Sequence, residues 1–483
     1  MTTVRRSLGF AFLERYLIIG LQLLSFTLLA RLLTPQQIGL YSVSMALISI
    51  AQVIRDFGLA NYLIQRETLD ADDVGTALGL SILLGGSLFV VVNAAAPFIG
   101  NFYNDASLTQ IVRIIALNFL ILPFNSISIA LFRRKMNFAL LMRINVSAAI
   151  IGTSTTLVLA SAGLGSWSLA WGEIASNMTI AAGALLAGSA SALQRPRLTK
   201  WRAILSFGGP VTLANIVTSI SMDINDLVVG KILNFTQVAI VSRAQGLMNL
   251  FNRDVMGTVR GVAYPAFAKA KREGAALEQK YVASVTAITA VAWPFYGFLA
   301  LFPLEVLRLM FGPQWDESAP LVPLFSLAGA FSATVSLVPT VMLATGNAKL
   351  VATADLIIQP IKAVALTFVV YHYRALFPFA IGFLVMAVVA VPYFYAFKQR
   401  CLPSDFPAIT RNLGVNLLLA LLCLAPSLAA TLWLRPDGQA LPYPVFFGCA
   451  AATCIVWALS LWAIKHPLYL EAHAILLTRK LQP

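Results

Sequence analysis

The feature that most constrains this chain is a succession of long apolar runs, each close in length to the thickness of a bilayer. Fourteen can be counted, near residues 13-33, 38-58, 74-99, 108-131, 144-163, 167-189, 207-233, 238-262, 281-310, 320-345, 349-372, 375-398, 412-434 and 443-465. A membrane-crossing helix needs about 20 mostly apolar residues, and short polar or Pro/Gly-marked breaks separate one run from the next. Membrane β-barrels carry short segments of alternating polarity instead, which these continuous runs exclude. Composition agrees: 59% of the 483 residues are hydrophobic and only 11% are charged, whereas soluble domains carry about 25% charged residues. The expected fold class is therefore an all-α polytopic membrane protein with about 14 transmembrane helices.

A net charge of +14 would suit a nucleic-acid partner, but the placement of the charges argues otherwise. With the N-terminus in the cytoplasm, one side collects Arg5, Arg6, Arg66, Arg133, Arg134, Lys135, Arg195, Arg197, Lys200 and Arg202. The same side holds Lys269, Lys271, Arg272, Lys280, Lys398, Arg400, Arg411, Lys465, Arg479 and Lys480, while Arg31, Lys231, Arg308, Arg374 and Arg435 are scattered singly opposite. The positive-inside rule then puts both termini in the cytoplasm, as an even number of crossings requires. These basic loops read as topology signals that also touch anionic membrane lipids, and no nucleic acid is expected.

Cys401, Cys423, Cys449 and Cys454 show no metal spacing, and His372, His466 and His473 form no HxxxH or HExxH pair. No metal, cofactor or catalytic group is expected, and no Walker sequence is present for ATP hydrolysis.

Sliding the chain over itself by 200 residues aligns "ARLLTPQQIGLYSVSMALI" at 30-48 with "GKILNFTQVAIVSRAQGLM" at 230-248. Arg31 meets Lys231, Leu33 meets Leu233, Gln37 meets Gln237, Ser42 meets Ser242 and Leu47 meets Leu247. The repeat organises the chain as two six-helix lobes, 1-206 and 207-400, plus two extra helices and a tail in 401-483. An even number of helices separates the copies, so the repeat is parallel and a substrate cleft is expected between the halves. The first run follows Arg5 and Arg6 like a signal peptide, but it has a partner in the second half and carries Glu14 and Arg15, so it reads as retained.

Several spans carry charge. Thr212, Asn215, Ser219, Asp223 and Asp226 recur at three or four residues and make one polar stripe. On the next helix Arg243, Arg253 and Arg260 fall within roughly a 100° arc, with Asp254 beside them. Arg15, Gln22 and Ser25 align in the first helix, and Asp355, Gln359 and Lys362 align beside Pro360 in the eleventh. A charge in hydrocarbon costs at least about 2.5–3.5 kcal/mol, so these stripes must face protein or water. One reading makes them internal salt bridges, Asp226 with Arg243 for example. The other makes them the lining of a cavity for an anionic or amphiphilic solute, served by an alternating-access carrier rather than a channel. Arg55, Asp56, Arg113 and Glu173, nearer helix ends, read as side chains reaching for the interface.

The runs "ARLLTPQQIGLYS", "DFGLANYLIQRE", "DLVVGKIL" leading into "VSRAQGLM", "YPAFAK", and "FGPQW" at 311-315 resemble the oligosaccharide flippase family of polysaccharide biosynthesis. Within it they are most similar to the exopolysaccharide type named after the colanic acid exporter, a branch of the multidrug, oligosaccharidyl-lipid and polysaccharide exporter superfamily. The resemblance implies a flippase of the bacterial inner membrane that carries an undecaprenyl diphosphate-linked oligosaccharide from the cytoplasmic to the periplasmic leaflet. It implies substrate contacts at Arg15, Asp226, Arg243 and Arg253, to which the polar stripes add Gln22, Asp223, Asp254 and Lys362. The planar guanidinium forks of Arg243 and Arg253 suit a diphosphate. Asp226 and Asp355 are the candidates for an ion-coupling site, and a polysaccharide polymerase or export machinery is an implied partner. The rivals are an ion-coupled multidrug antiporter of the same superfamily, usually with twelve helices, and a membrane glycan polymerase or ligase, which relies on a large periplasmic loop.

Overall fold

A computed structural model describes residues 2–66, 68–187, 195–434 and 439–470, and within these the regular structure is helical throughout. Among the described residues, eleven helical segments are long and apolar enough to cross a membrane. The expected runs near 167-189 and 238-262 are helical too but fall outside that set, and the helix over 207-233 is described with only part of its side chains. Arg435, His473, Arg479 and Lys480 lie outside the described residues, as do the side chains of Arg5 and Arg6. The chain packs as two compact units, Met1–Ala239 and Ile240–Pro483.

The first unit contains α1 (Thr2–Leu32), α2 (Pro35–Asp56), α3 (Leu59–Gln65), α4 (Ala71–Tyr103) and α5 (Ala106–Ala116). It continues with α6 (Asn118–Arg134), α7 (Phe138–Ser161), α8 (Ser166–Leu186) and α9 (Trp201–Ile232). The start of α2 follows from "LTPQQ": Pro35 occupies the first turn, the Thr34 hydroxyl accepts from Gln37 N at 3.3 Å, and Gln37 Oε1 accepts from Thr34 N at 3.0 Å. At the paired window 200 residues on, Asn234 Oδ1 accepts from Gln237 N at 2.9 Å. Two different side chains thus satisfy the same orphan N–H at matching positions.

The core of this unit gathers Leu59, Tyr62, Leu63, Val74, Leu78, Ile127 and Leu131 from α3, α4 and α6. Above it, the basic residues read as topology signals have local partners. Asp70 caps α4, accepting from Asp73 N at 2.8 Å, and Lys200 Nζ reaches Asp70 at 2.6 Å and Asp73 at 3.1 Å. Tyr62 donates to Asp73 at 3.0 Å, Arg197 pairs with Asp72, and Arg134 donates to the Leu63 carbonyl at 3.0 Å. Gly75 and Gly79 make this possible: Arg197 N donates to the Gly75 carbonyl at 3.0 Å, and a Cβ on Gly79 would sit 2.2 Å from the Arg197 carbonyl oxygen.

Lys200, and then the backbone N–H of Asp73, hold the Asp70 carboxyl down to about 2, below its ordinary 3.8. A carboxylate with a depressed folded-state pKa contributes stability above its unfolded value, and that contribution disappears as the pH falls through the folded value. Asp70→Asn should therefore lower the melting temperature at neutral pH. The gap to wild type should close as the pH is taken from about 4 to about 2, and melting curves across that range check it.

The second unit starts within α10 (Phe235–Asn249), followed by a π turn at Leu250–Val255, α11 (Met256–Arg272), α12 (Leu277–Leu301) and α13 (Pro303–Met310). A 3-10 helix at Pro313–Leu321 leads to α14 (Val322–Val335), α15 (Val338–Ala344), α16 (Ala348–Tyr373), α17 (Leu376–Gln399), α18 (Phe406–Leu434) and α19 (Tyr443–Ala463). The last two helices pack on α12 through a small core of Ala290, Leu419, Cys423 and Leu461. A polar seam adds direction to that contact. Asn416 donates to the Thr286 carbonyl at 2.8 Å and to the Thr289 hydroxyl at 2.7 Å, and its own carbonyl oxygen meets His466 Nε2 at 3.1 Å. Burial lowers the pKa of His466, and Leu468 N donates to its Nδ1 at 3.2 Å, so the ring is a neutral Nε2–H donor. Leu417, Leu418, Leu421, Leu422, Ile455 and Leu459 stay exposed on these two helices, as lipid-facing side chains do.

Candidate functional site

In the first unit, Arg15 and Gln22 are both exposed on α1. Their neighbour Glu14 points inward instead and accepts from Asn145 of α7 at 2.7 Å. The stripe on α9 is not uniform: Thr212 is buried, Asn215 is exposed, and Ser219, Asp223 and Asp226 are half-buried. Asp223 Oδ2 accepts from the Ser219 hydroxyl at 3.1 Å and from the Ser49 hydroxyl of α2. Asp223, which the stripe marks as a cavity carboxylate, therefore sits with two neutral hydroxyls. Glu173 does not reach for the interface but accepts at 3.2 Å from the Tyr41 hydroxyl. Arg55 is likewise drawn in, buried and paired with the exposed carboxylate of Asp56.

In the second unit the single cationic face expected of Arg243, Arg253 and Arg260 is broken by the π turn at Leu250–Val255. A π turn takes in one more residue than an α turn and shifts the later side chains around the axis by about 100°. Arg243 consequently faces inward at 3% exposure, while Arg253 is exposed and Arg260 is half-buried, donating to the Asn252 carbonyl at 3.4 Å. The Asp254 backbone belongs to the π turn, and its side chain lies outside the described residues.

The buried guanidinium of Arg243 lies over two rings, 4.7 Å from the centroid of Trp315 and 5.3 Å from that of Phe311. Both rings come from "FGPQW", and both are fully buried. Gly312, between them at φ 96°, adopts a backbone conformation open to glycine. Arg308 clamps the 3-10 helix to α13 with a two-point hydrogen bond to Asp316, Nε to Oδ1 at 3.0 Å and Nη2 to Oδ2 at 2.6 Å. That contact raises the Arg308 pKa. Two sequence motifs 70 positions apart thus form one packed unit.

On α16, Asp355, Gln359 and Lys362 are all half-buried while Leu356, Ile357, Ile361, Val364 and Phe368 are exposed, so the polar stripe faces inward. The Lys362 ammonium lies 3.8 Å from the centroid of Phe383 on α17. Among the described residues no group of three His, Cys, Asp or Glu side chains could hold a metal.

Sequence reasoning missed the π turn, the Arg243 cage and the inward turn of Glu173. The cage had a signal, because an intramembrane arginine and a Trp-containing motif both needed a partner. Glu173 had one too, in the four-residue spacing to Asn177 along α8.

Residues 28–320 match the family described as polysaccharide biosynthesis protein. Lipopolysaccharide biosynthesis protein WzxC of Escherichia coli (strain K12) is 26% identical over 319 residues, which span 65% of this chain and 64% of that relative. Among solved structures, the lipid II flippase MurJ in an inward-closed conformation superposes with a TM-score of 0.75 at 12% identity, covering 96% of this chain and 99% of that one. An inward-facing multidrug resistance MATE family transporter of the MOP superfamily superposes at 0.60 with 16% identity, covering 80% and 94%. These two likenesses establish the fold that the chain shares with both proteins. The family match extends over more than half of the chain and takes in both Arg243 and the ring of Trp315 on which it lies, so the chain belongs to the polysaccharide biosynthesis protein family.

Proposed function

We propose that the chain is a flippase that moves an undecaprenyl diphosphate-linked oligosaccharide repeat unit from the cytoplasmic to the periplasmic leaflet of a bacterial inner membrane by alternating access. Fourteen crossings in a six, six and two arrangement, with both termini in the cytoplasm, belong to this proposal. The observation that carries it is Arg253: an exposed guanidinium in the widened turn between α10 and α11, inside the stretch that matches the family. A π turn is a frequent mark of a functional site, and arginine offers the donor fork that a diphosphate accepts. Lys362 and Arg15 supply further cations for the diphosphate, and Gln22, Asp223, Asp226 and Asp254 supply an amide and carboxylates for sugar hydroxyls. Arg243 serves this site by holding α10 on its aromatic cage. Asp226 and Asp355 remain the candidates for ion coupling, and a polymerase or export machinery receives the product.

The likeness to a MATE transporter supports the second reading, an ion-coupled antiporter of small molecules. Sealed proteoliposomes with a labelled lipid-linked repeat unit separate the two. Wild type should expose the label in the far leaflet, and Arg253→Ala with Lys362→Met should slow transfer at least about 10-fold, since a charge-assisted contact is worth about 1.5–3 kcal/mol. Wild type that moves small cations against a gradient but leaves the repeat unit where it was would decide for the antiporter.

A further inference from the structure

Within the first unit, α2, α6 and α8 meet along a polar seam separate from the residues assigned to substrate. Tyr41 of α2 donates to Glu173 Oε2 of α8. One turn along α8, Asn177 Nδ2 donates to Asn118 Oδ1 at 3.0 Å, and the Asn177 carbonyl accepts from Asn125 Nδ2 at 3.0 Å. Asn118 and Asn125 are 1% and 2% exposed, yet Asn118 Nδ2 and Asn125 Oδ1 have no hydrogen-bond partner among the described residues, and neither has Nη1 of Arg55. A buried polar atom left open costs about 1–3 kcal/mol. Three of them in one unit are atoms that a water molecule would satisfy.

Two other carboxylates, Asp73 with Lys200 and Glu278 with Lys398, have a cation in contact. Asp223 and Glu14 are bonded by neutral hydroxyl or amide donors. Glu173 has a neutral phenol. The groups facing it from the packed helices are few: Tyr41 and Arg55 from α2, with α6 contributing only amides along the seam. Arg55 acts on Glu173 through space and is held by Asp56. Arg113 of α5 and Arg143 of α7, on the other two helices packed against α8, are exposed. An ionised carboxyl in such a place lacks a contacting counter-charge, and a proton can supply it. Glu173 is only half-buried, so a proton can reach it without the seam being opened.

We infer that Glu173 is a proton-binding site, a carboxyl group in a hydrated seam of the first unit that takes up one proton from water and makes the unit sensitive to pH. Protonation adds one O–H, leaves the bond from Tyr41 in place and turns an acceptor-only group into one that can also donate along the seam. It stands apart from Asp226 and Asp355, the ion-coupling candidates above. Its use in coupling rests on the transport reading; the proton site itself does not.

The test is infrared difference spectroscopy on the full chain in lipid nanodiscs, stepping from mildly alkaline to mildly acidic buffer. Wild type should gain the carbonyl band of a protonated carboxyl group. Glu173→Gln should lose that band, Glu173→Asp and Asp226→Asn should keep it, and Tyr41→Phe should keep it with a midpoint moved by about one pH unit, the loss of one hydrogen bond to a charged group. Superimposable spectra from wild type and Glu173→Gln, or a band lost in Asp226→Asn instead, overturn the inference. If Glu173→Gln yields no folded protein, Tyr41→Phe decides, and an unmoved midpoint overturns it. A band assigned to Glu173 in a protein that transfers no repeat unit retires the transport reading and leaves the proton site standing. Transfer by a protein whose spectra ignore Glu173 does the reverse.

Discussion

Trp315→Ala is expected to destabilise the second unit by about 3–5 kcal/mol, the range for truncating a large buried aromatic. Trp315 is the largest of the fully buried side chains. Its removal does more than leave a cavity, because the Arg243 guanidinium loses the nearer of its two rings, at 4.7 Å, and a buried arginine stripped of contacts is costly. Trp315→Phe should recover part of the loss, since it returns an aromatic face to the same place. Arg253→Ala, at an exposed position within the π turn, should leave the stability within about 1 kcal/mol of wild type. Thermal unfolding in nanodiscs compares all three. Equal losses for Trp315→Ala and Arg253→Ala would mean that the cage is not the element that holds α10.

Lys398→Met is expected to cost a similar amount, about 3–5 kcal/mol, by removing the buried cation of an ion pair and leaving the half-buried Glu278 carboxylate without it. Lys398 is fully buried at the end of α17 and bonds Glu278 at the start of α12, with the Ser404 hydroxyl as a further acceptor at 2.9 Å. Its ammonium also lies 4.4 Å from the centroid of Tyr281, whose hydroxyl donates to Tyr395 at 3.3 Å. Glu278 in turn accepts from Asp405 N at 3.1 Å and so fixes the approach to α18. The pair should be strongly non-additive: Lys398→Met with Glu278→Gln should regain most of what Lys398→Met loses, because the uncompensated charge is gone. A double variant as unstable as the sum of the singles would sink this account. Denaturation of the four proteins in one detergent measures it.

Much of the architecture was legible because bilayer physics leaves few solutions. Apolar length alone locates helices such as α16 and α17 to within a residue or two, and "LTPQQ" announces the start of α2 through its own capping chemistry. The polar stripe on α16 also reads correctly, since Asp355, Gln359 and Lys362 share one half-buried face. What stayed hidden depends on contacts between distant residues or on a break in helical phase. A wheel drawn at about 100° per residue assumes an unbroken α-helix, so Arg243 and Arg253 look alike until the π turn separates them. Lys200 and Arg197 look like loop charges until the three aspartates at the start of α4 are seen beneath them. Glu173 lies early in α8, where sequence position alone suggests the interface, and only its packing against Tyr41 shows otherwise.

α8 and α9, consecutive in the chain, each carry polar groups within an apolar run. Their polar groups find partners on helices made earlier: Glu173 on α2, Asn177 on α6 and Asp223 on α2. During synthesis these two helices therefore bring their polar groups to partners that precede them in the chain, so that a carboxylate or an amide meets a donor rather than hydrocarbon. The order of the segments in the gene is in this sense part of how the protein is made.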